Sequence, residues 1–95
     1  MADNKAYTVD LSGVTTKEEL HAALKEGLSL PDYYGGNLDA LHDCLTDFAE
    51  PVEVTFCGYK PAKKALVSDF YAFRTVIEDS AEENGNLTIR WRRRK

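Results

Sequence analysis

Three short segments of this chain alternate apolar and polar residues, and each is separated from the next by enough helical sequence to carry the chain back across a sheet. Tyr7, Val9 and Leu11 alternate with Thr8, Asp10 and Ser12; Val52, Val54 and Phe56 with Glu53, Thr55 and Cys57; Leu87, Ile89 and Trp91 with Thr88, Arg90 and Arg92. A period of two sends successive side chains to opposite faces, so each segment predicts a strand with one wet face. Long helical connections call for parallel pairing through right-handed crossovers. In strand order 1-2-3 both crossovers fall on the same side. The expected fold is therefore a two-layer α/β domain: a three-stranded parallel sheet with helices packed on one face, the other face open to water, unlike most parallel sheets.

The intervening sequence supplies the helices. Thr16 followed by Glu19 forms a capping box, and Leu20, Ala23, Leu24 and Leu28 make an apolar stripe that fades at Gly27. Pro31 and the Gly35-Gly36 pair mark an ordered loop. Asn37 is a good N-cap for a second helix, whose apolar stripe is Leu38, Leu41, Leu45 and Phe48. From Pro61 to Glu83 the set Leu66, Phe70, Phe73, Ile77 and Ala81 keeps helical spacing, read as a short helix leading into a longer one near Ser68-Asp69. Asn84-Gly85-Asn86 closes it with a turn. Ninety-five residues suffice for one core, so residues 1–95 are expected to form a single domain with a basic end at about 90–95.

Charge is distributed unevenly over this frame. From Glu26 up to Lys60 the chain carries seven acids and no Lys or Arg, and Asp39, Asp43 and Asp47 recur every four residues on the second helix. Like charges at that spacing cost a helix about 0.2–0.5 kcal/mol per pair, so folding alone does not explain them. A concentrated negative ridge suits a protein that must meet a positively charged surface. The net charge of −4 hides this asymmetry, because five of the twelve basic residues lie from Arg90 to Lys95. The acidic body disfavours nucleic acid and phosphorylated substrates as partners and favours a basic protein. No apolar run approaches the roughly 20 residues of a membrane span, and Met1 to Lys5 lacks the apolar core of a secretory signal, so a cytoplasmic location is expected. Cys44 and Cys57 have no metal-ligand spacing and read as reduced, small core residues.

Catalytic readings fare poorly. Aspartates on one exposed stripe share one environment, whereas paired general acid and base need environments that separate their pKa values. No nucleophile motif accompanies either cysteine or either histidine. A ladder of helical carboxylates lacks the alternating oxygen loop of a Ca²⁺ site, and Gly35-Gly36-Asn37 lacks the lysine of a phosphate cradle. No enzyme activity, metal, cofactor or small-molecule substrate is expected.

The stretch Leu30-Pro31-Asp32-Tyr33-Tyr34-Gly35-Gly36-Asn37-Leu38-Asp39-Ala40-Leu41-His42-Asp43-Cys44-Leu45-Thr46 resembles the signature of the barstar family, intracellular inhibitors of barnase-type ribonucleases. Element order and length match over nearly the whole chain, apart from the Arg-rich end. The resemblance implies a small parallel three-stranded sheet with helices on it, and a stoichiometric activity in which the acidic helix and preceding loop plug a ribonuclease active site, carboxylates standing where RNA phosphate would sit. By matching position, Asp43 is the carboxylate that enters the cleft, Asp39 faces an arginine or lysine, and Tyr33 is the loop aromatic that packs on the enzyme. Asn37 and Leu38 match contact or capping positions, with Gly35, Thr46 and Asp47 on the same surface. Asp79, or Glu78 if the alignment slips by one, matches a further acid from the last helix. Two departures stand out: His42 replaces a family tryptophan, and Phe48 stands near a second one, which implies a different cognate ribonuclease. The partner expected is a basic microbial ribonuclease, with the free inhibitor monomeric. The alternative is an RNA-associated regulator using Arg90-Trp91-Arg92-Arg93-Arg94-Lys95 to pair with phosphates and stack on bases.

Overall fold

The computed structural model describes residues 5–30 and 34–92. In chain order these form β1 (Lys5–Asp10), α1 (Lys17–Gly27), α2 (Leu38–Thr46), β2 (Val52–Cys57), α3 (Tyr59–Leu66), α4 (Ser68–Glu83) and β3 (Leu87–Arg92). The strands pair in parallel in the expected order β1-β2-β3. Tyr7, Val54 and Ile89 lie in one row across the sheet, and Val9, Phe56 and Trp91 in the next row facing the same way.

Those rows face the helices. Val9, Val52, Val54, Phe56 and Leu87 are buried beneath Leu20 and Leu24 of α1, Leu41 and Leu45 of α2, and Phe70, Phe73 and Ile77 of α4. On the opposite face Thr8, Asp10, Thr88, Arg90 and Arg92 are exposed, and Arg90 pairs with Glu53 across neighbouring strands. One face is thus wet, and the layer count is two.

Cys57 lies on that wet face, half-buried, with its thiol directed at the Val9 carbonyl oxygen at 3.7 Å. Its reading as a core residue is corrected by the strand's own alternation, which opposes it to Phe56. Cys44 does pack against the core, from α2. Both are free thiols.

Local chemistry sets the element ends. The Thr16 hydroxyl accepts the Glu19 N–H at 3.1 Å while the Glu19 carboxylate accepts the Thr16 N–H at 3.2 Å, the reciprocal box that starts α1. Further donation from Thr15 N–H and hydroxyl holds the Glu19 carboxyl below its usual range. Helix α3 starts at Tyr59, two residues before Pro61, because a proline in the first turn forfeits no helical hydrogen bond. It is reached through Gly58, at φ 62°, where an added Cβ would stand 2.9 Å from that of Ser12. Only glycine fits there.

The break between α3 and α4 falls at Val67, one residue before the expected point, with φ 37° and ψ −96°. It lets α4 lay Phe70 and Phe73 against the sheet. Phe56 meets Phe73 edge-on at 5.4 Å and stacks on Trp91 at 4.8 Å, with Tyr59 and Phe70 around them. Aromatic pairs of this kind add about 0.5–1.5 kcal/mol each beyond their burial. Trp91 therefore completes the apolar face of β3.

A β-branched residue at positive φ carries strain of about 1–3 kcal/mol, and the Val67 side chain is 64% exposed, so packing does not repay it. Val67→Gly is expected to raise stability by about 1 kcal/mol, seen as a Tm increase of about 4–8 °C in thermal unfolding.

Candidate functional site

Helix α2 is held at both ends by side-chain amides. At its start Gly36, at φ 68°, turns the chain so that the Asn37 carbonyl oxygen Oδ1 accepts the Ala40 N–H at 2.8 Å. At its end the Asn84 amide, from the residue after α4, donates to the carbonyls of Leu45 and Phe48, both at 3.1 Å. Asn86 adds a bond to the Phe48 carbonyl at 3.3 Å. Carbonyls in a helix's last turn have no partner within the helix, and these amides supply one. Between the clamps, Leu41 and Leu45 are fully buried and fix which face looks out.

The outward face carries the acids. Asp39 and Asp43 are exposed, one turn apart, and neither pairs with a cation among the described residues. Asp39 sits in the first turn, where the helix dipole favours it. Asp47 is the C-cap residue, at the unfavourable end of that dipole with no base in the last turn. It borders a groove with Tyr7, Leu30, Cys44 and Phe48, so the stripe drifts toward the β1 side. The Thr46 hydroxyl donates to the His42 carbonyl at 2.8 Å and is used within the helix. Leu38 is half-buried against the core, whereas Gly35 is exposed. Burial, reinforced by Asp43 and Asp47, pushes the Cys44 thiol up, against any thiolate chemistry there.

Helix α4 adds a second row of charge. His42 Nε2 meets Glu83 Oε2 at 2.8 Å, with the side chains 34% and 60% exposed. The Glu83 hydrogen bond, and then the charges of Glu83, Asp43 and Asp79, raise the pKa of His42 above its ordinary value. Asp79 thus stands on the α2 side of α4, while Glu78 bonds Arg74 at 3.3 Å. Sequence reading missed Glu83 and the role of Asn84, because a contact 41 or 39 residues away leaves no local pattern. The signal for Asn84 was present only as turn composition.

The loop ahead of α2 is anchored from α1. The buried Tyr34 hydroxyl meets His21 Nδ1 at 2.6 Å. Burial, then Cys44, pushes the tyrosine pKa to about 12, so it keeps its proton and donates. Burial, then Lys17, lowers the histidine pKa, so its ring stays neutral and accepts. Tyr33, the aromatic expected to face a partner, lies with Pro31 and Asp32 outside the described residues.

This arrangement of acids, clamps and loop sits on a chain whose residues 4–93 match the family model described as Barstar (barnase inhibitor). The chain belongs to the barstar family. The barstar match takes in every described element from β1 to β3. A protein of Bacillus subtilis (strain 168) named "Putative ribonuclease inhibitor YrdF" is 40% identical over 67 residues, covering 70% of this chain and 74% of that protein.

Two predictions follow from the barstar-like site. Asn84→Ala takes the side-chain donor from the Leu45 carbonyl, leaves Phe48 with Asn86 alone, and is expected to cost about 1–3 kcal/mol in urea unfolding. His42 has a raised pKa in the folded state, so its bond to Glu83 contributes stability that is complete below about pH 6.5 and is lost as pH rises through the folded value. Glu83→Gln should therefore be less stable than wild type at pH 5.5 and match it at pH 9, measured by paired urea titrations.

Proposed function

We propose that this chain is a stoichiometric protein inhibitor of a barnase-type ribonuclease, blocking the active site with α2 and the loop before it. Membership of the barstar family and the naming of its Bacillus relative support a ribonuclease-inhibitor role rather than an enzymatic one. The observation that carries the mechanism is the pair Asp39 and Asp43, exposed on α2 without a cation partner among the described residues, with Asp79 presented from the neighbouring helix. A ribonuclease cleft is built of cations that hold RNA phosphate, and carboxylates spaced along one helix offer it the same charge without a scissile bond. Asp43 is the carboxylate that enters the cleft and Asp39 its neighbour facing an arginine or lysine. Tyr33, Gly35, Asn37, Leu38, His42, Thr46 and Asp47 form the surround.

Such a ridge attracts a basic partner over about one Debye length, roughly 8–10 Å in ordinary salt, so association slows as salt rises. Dissociation depends on the dry centre, where truncating one partner leaves the other charge buried and unpaired. An inhibitor of this kind acts in the cytoplasm of the producing cell, as an immunity protein or antitoxin against its own or a neighbour's toxin ribonuclease.

The RNA-binding alternative through the basic end has lost two of its residues. The Trp91 ring is packed between Phe56 and Tyr59, and Arg90 is bonded to Glu53. Residues 93–95 lie outside the described residues.

Titrating a barnase-type ribonuclease with the protein while following RNA cleavage tests the proposal. Activity should vanish at a one-to-one ratio, and Asp43→Ala should weaken inhibition by about 30- to several thousand-fold, the equivalent of about 2–5 kcal/mol for one side of a buried charge pair. Full cleavage with excess inhibitor, or unchanged inhibition by Asp39→Ala/Asp43→Ala, overturns the proposed surface.

A further inference from the structure

The flank of α4 turned away from α2 has a different character. Val67 and Tyr71, 64% and 72% exposed, are the large apolar side chains most open to water among the described residues. With Phe70 they line a groove of about 110 Å³ whose two charged lining residues are both cations, Lys63 from α3 and Arg74 from α4. Lys60 and Lys64 extend the positive charge along α3, which alone among the four helices contains no acid. Arg74 is met by Glu78, but none of the three lysines has an acidic partner among the described residues. Phe70 belongs to the core and Arg74 also lies over the Trp91 ring at 5.8 Å, which leaves Val67, Tyr71 and the three lysines as the outward part of a basic, apolar surface on an acidic protein.

Backbone geometry at the same spot is a second, independent observation. Val67 is held at φ 37° with its side chain turned into water beside Tyr71. Strain of that kind is sustained by the surrounding fold and yields no internal packing, which is the pattern of a residue positioned for something outside the molecule.

We propose that the α3–α4 groove is a second docking surface, separate from the acidic helix, that takes an acidic protein segment carrying an apolar anchor. The anchor side chain lies on Val67, Phe70 and Tyr71, and flanking carboxylates meet Lys60, Lys63 and Lys64. Charge complementarity selects this occupant. A nucleic acid strand would find one exposed ring, Tyr71, where tracking successive bases takes several stacking platforms. Because Asp79 and Glu83 on the opposite flank face α2, a partner here leaves the acidic ridge uncovered, and the chain can hold two proteins at once.

Fluorescence anisotropy of the full chain with a labelled peptide of about twelve residues, Glu alternating with Leu and Phe, tests this directly. Binding should be saturable, should weaken with salt, and should fall at least about tenfold in Lys63→Glu and in Tyr71→Ser, both exposed substitutions that spare the core. Titration of ribonuclease activity by the same variants should match wild type. Absence of peptide binding, equal binding of a Gln-for-Glu peptide, or tighter capture of a single-stranded RNA through the same residues would overturn the proposal. So would a parallel loss of ribonuclease inhibition, since the two surfaces would then be one.

Discussion

Leu41 and Leu45 hold down a helix whose upper surface repels itself. Nine residues make a helix too short to persist alone, and two aspartates along it with a third at its C-cap make matters worse. Burial of two leucines, at roughly 1.5–3 kcal/mol each, exceeds the repulsion of one or two carboxylate pairs several-fold. The amides of Asn37 and Asn84 then fix the two ends. The acids can therefore stand unneutralised because the stability of α2 comes from its underside and its ends.

The same tension appears at Asp47, placed at the negative end of the helix dipole, and at Val67, placed at positive φ with its side chain in water. Each is a local cost that the fold sustains without an internal gain. They mark two different faces. On one, carboxylates project from α2 and from the end of α4; on the other, lysines of α3 flank an apolar groove. A protein of this size has room for both because a two-layer sheet leaves each helix with a wet flank.

Much of this is legible in the sequence. Strand positions and the open face follow from Tyr7-Val9, Val52-Val54-Phe56 and Leu87-Ile89-Trp91, since a period of two sends each set to one face; the order 1-2-3 is the simplest that parallel crossovers allow. Helix α1 announces itself through Thr16 and Glu19, and α2 through Asn37. What local pattern could not supply was anything made by chain segments distant in sequence: the Asn84 clamp, the His42–Glu83 contact and the Tyr34–His21 anchor. Asn84-Gly85-Asn86 reads as a turn whether or not its amides reach another helix. Likewise the periodicity of Leu66, Phe70 and Phe73 survives a kink, so the sequence locates the break between α3 and α4 only to within a residue and says nothing of its strained backbone.

A sheet of three strands has two margins, occupied by β1 and β3, and among the described residues no further strand pairs with either. An edge strand invites another chain to extend the ladder. Charged residues on both edge strands, Lys5 and Asp10 on β1 and Arg90 and Arg92 on β3, disfavour the docking of a further strand beside them. The charged edges thereby guard a small sheet against growing strand by strand into aggregates.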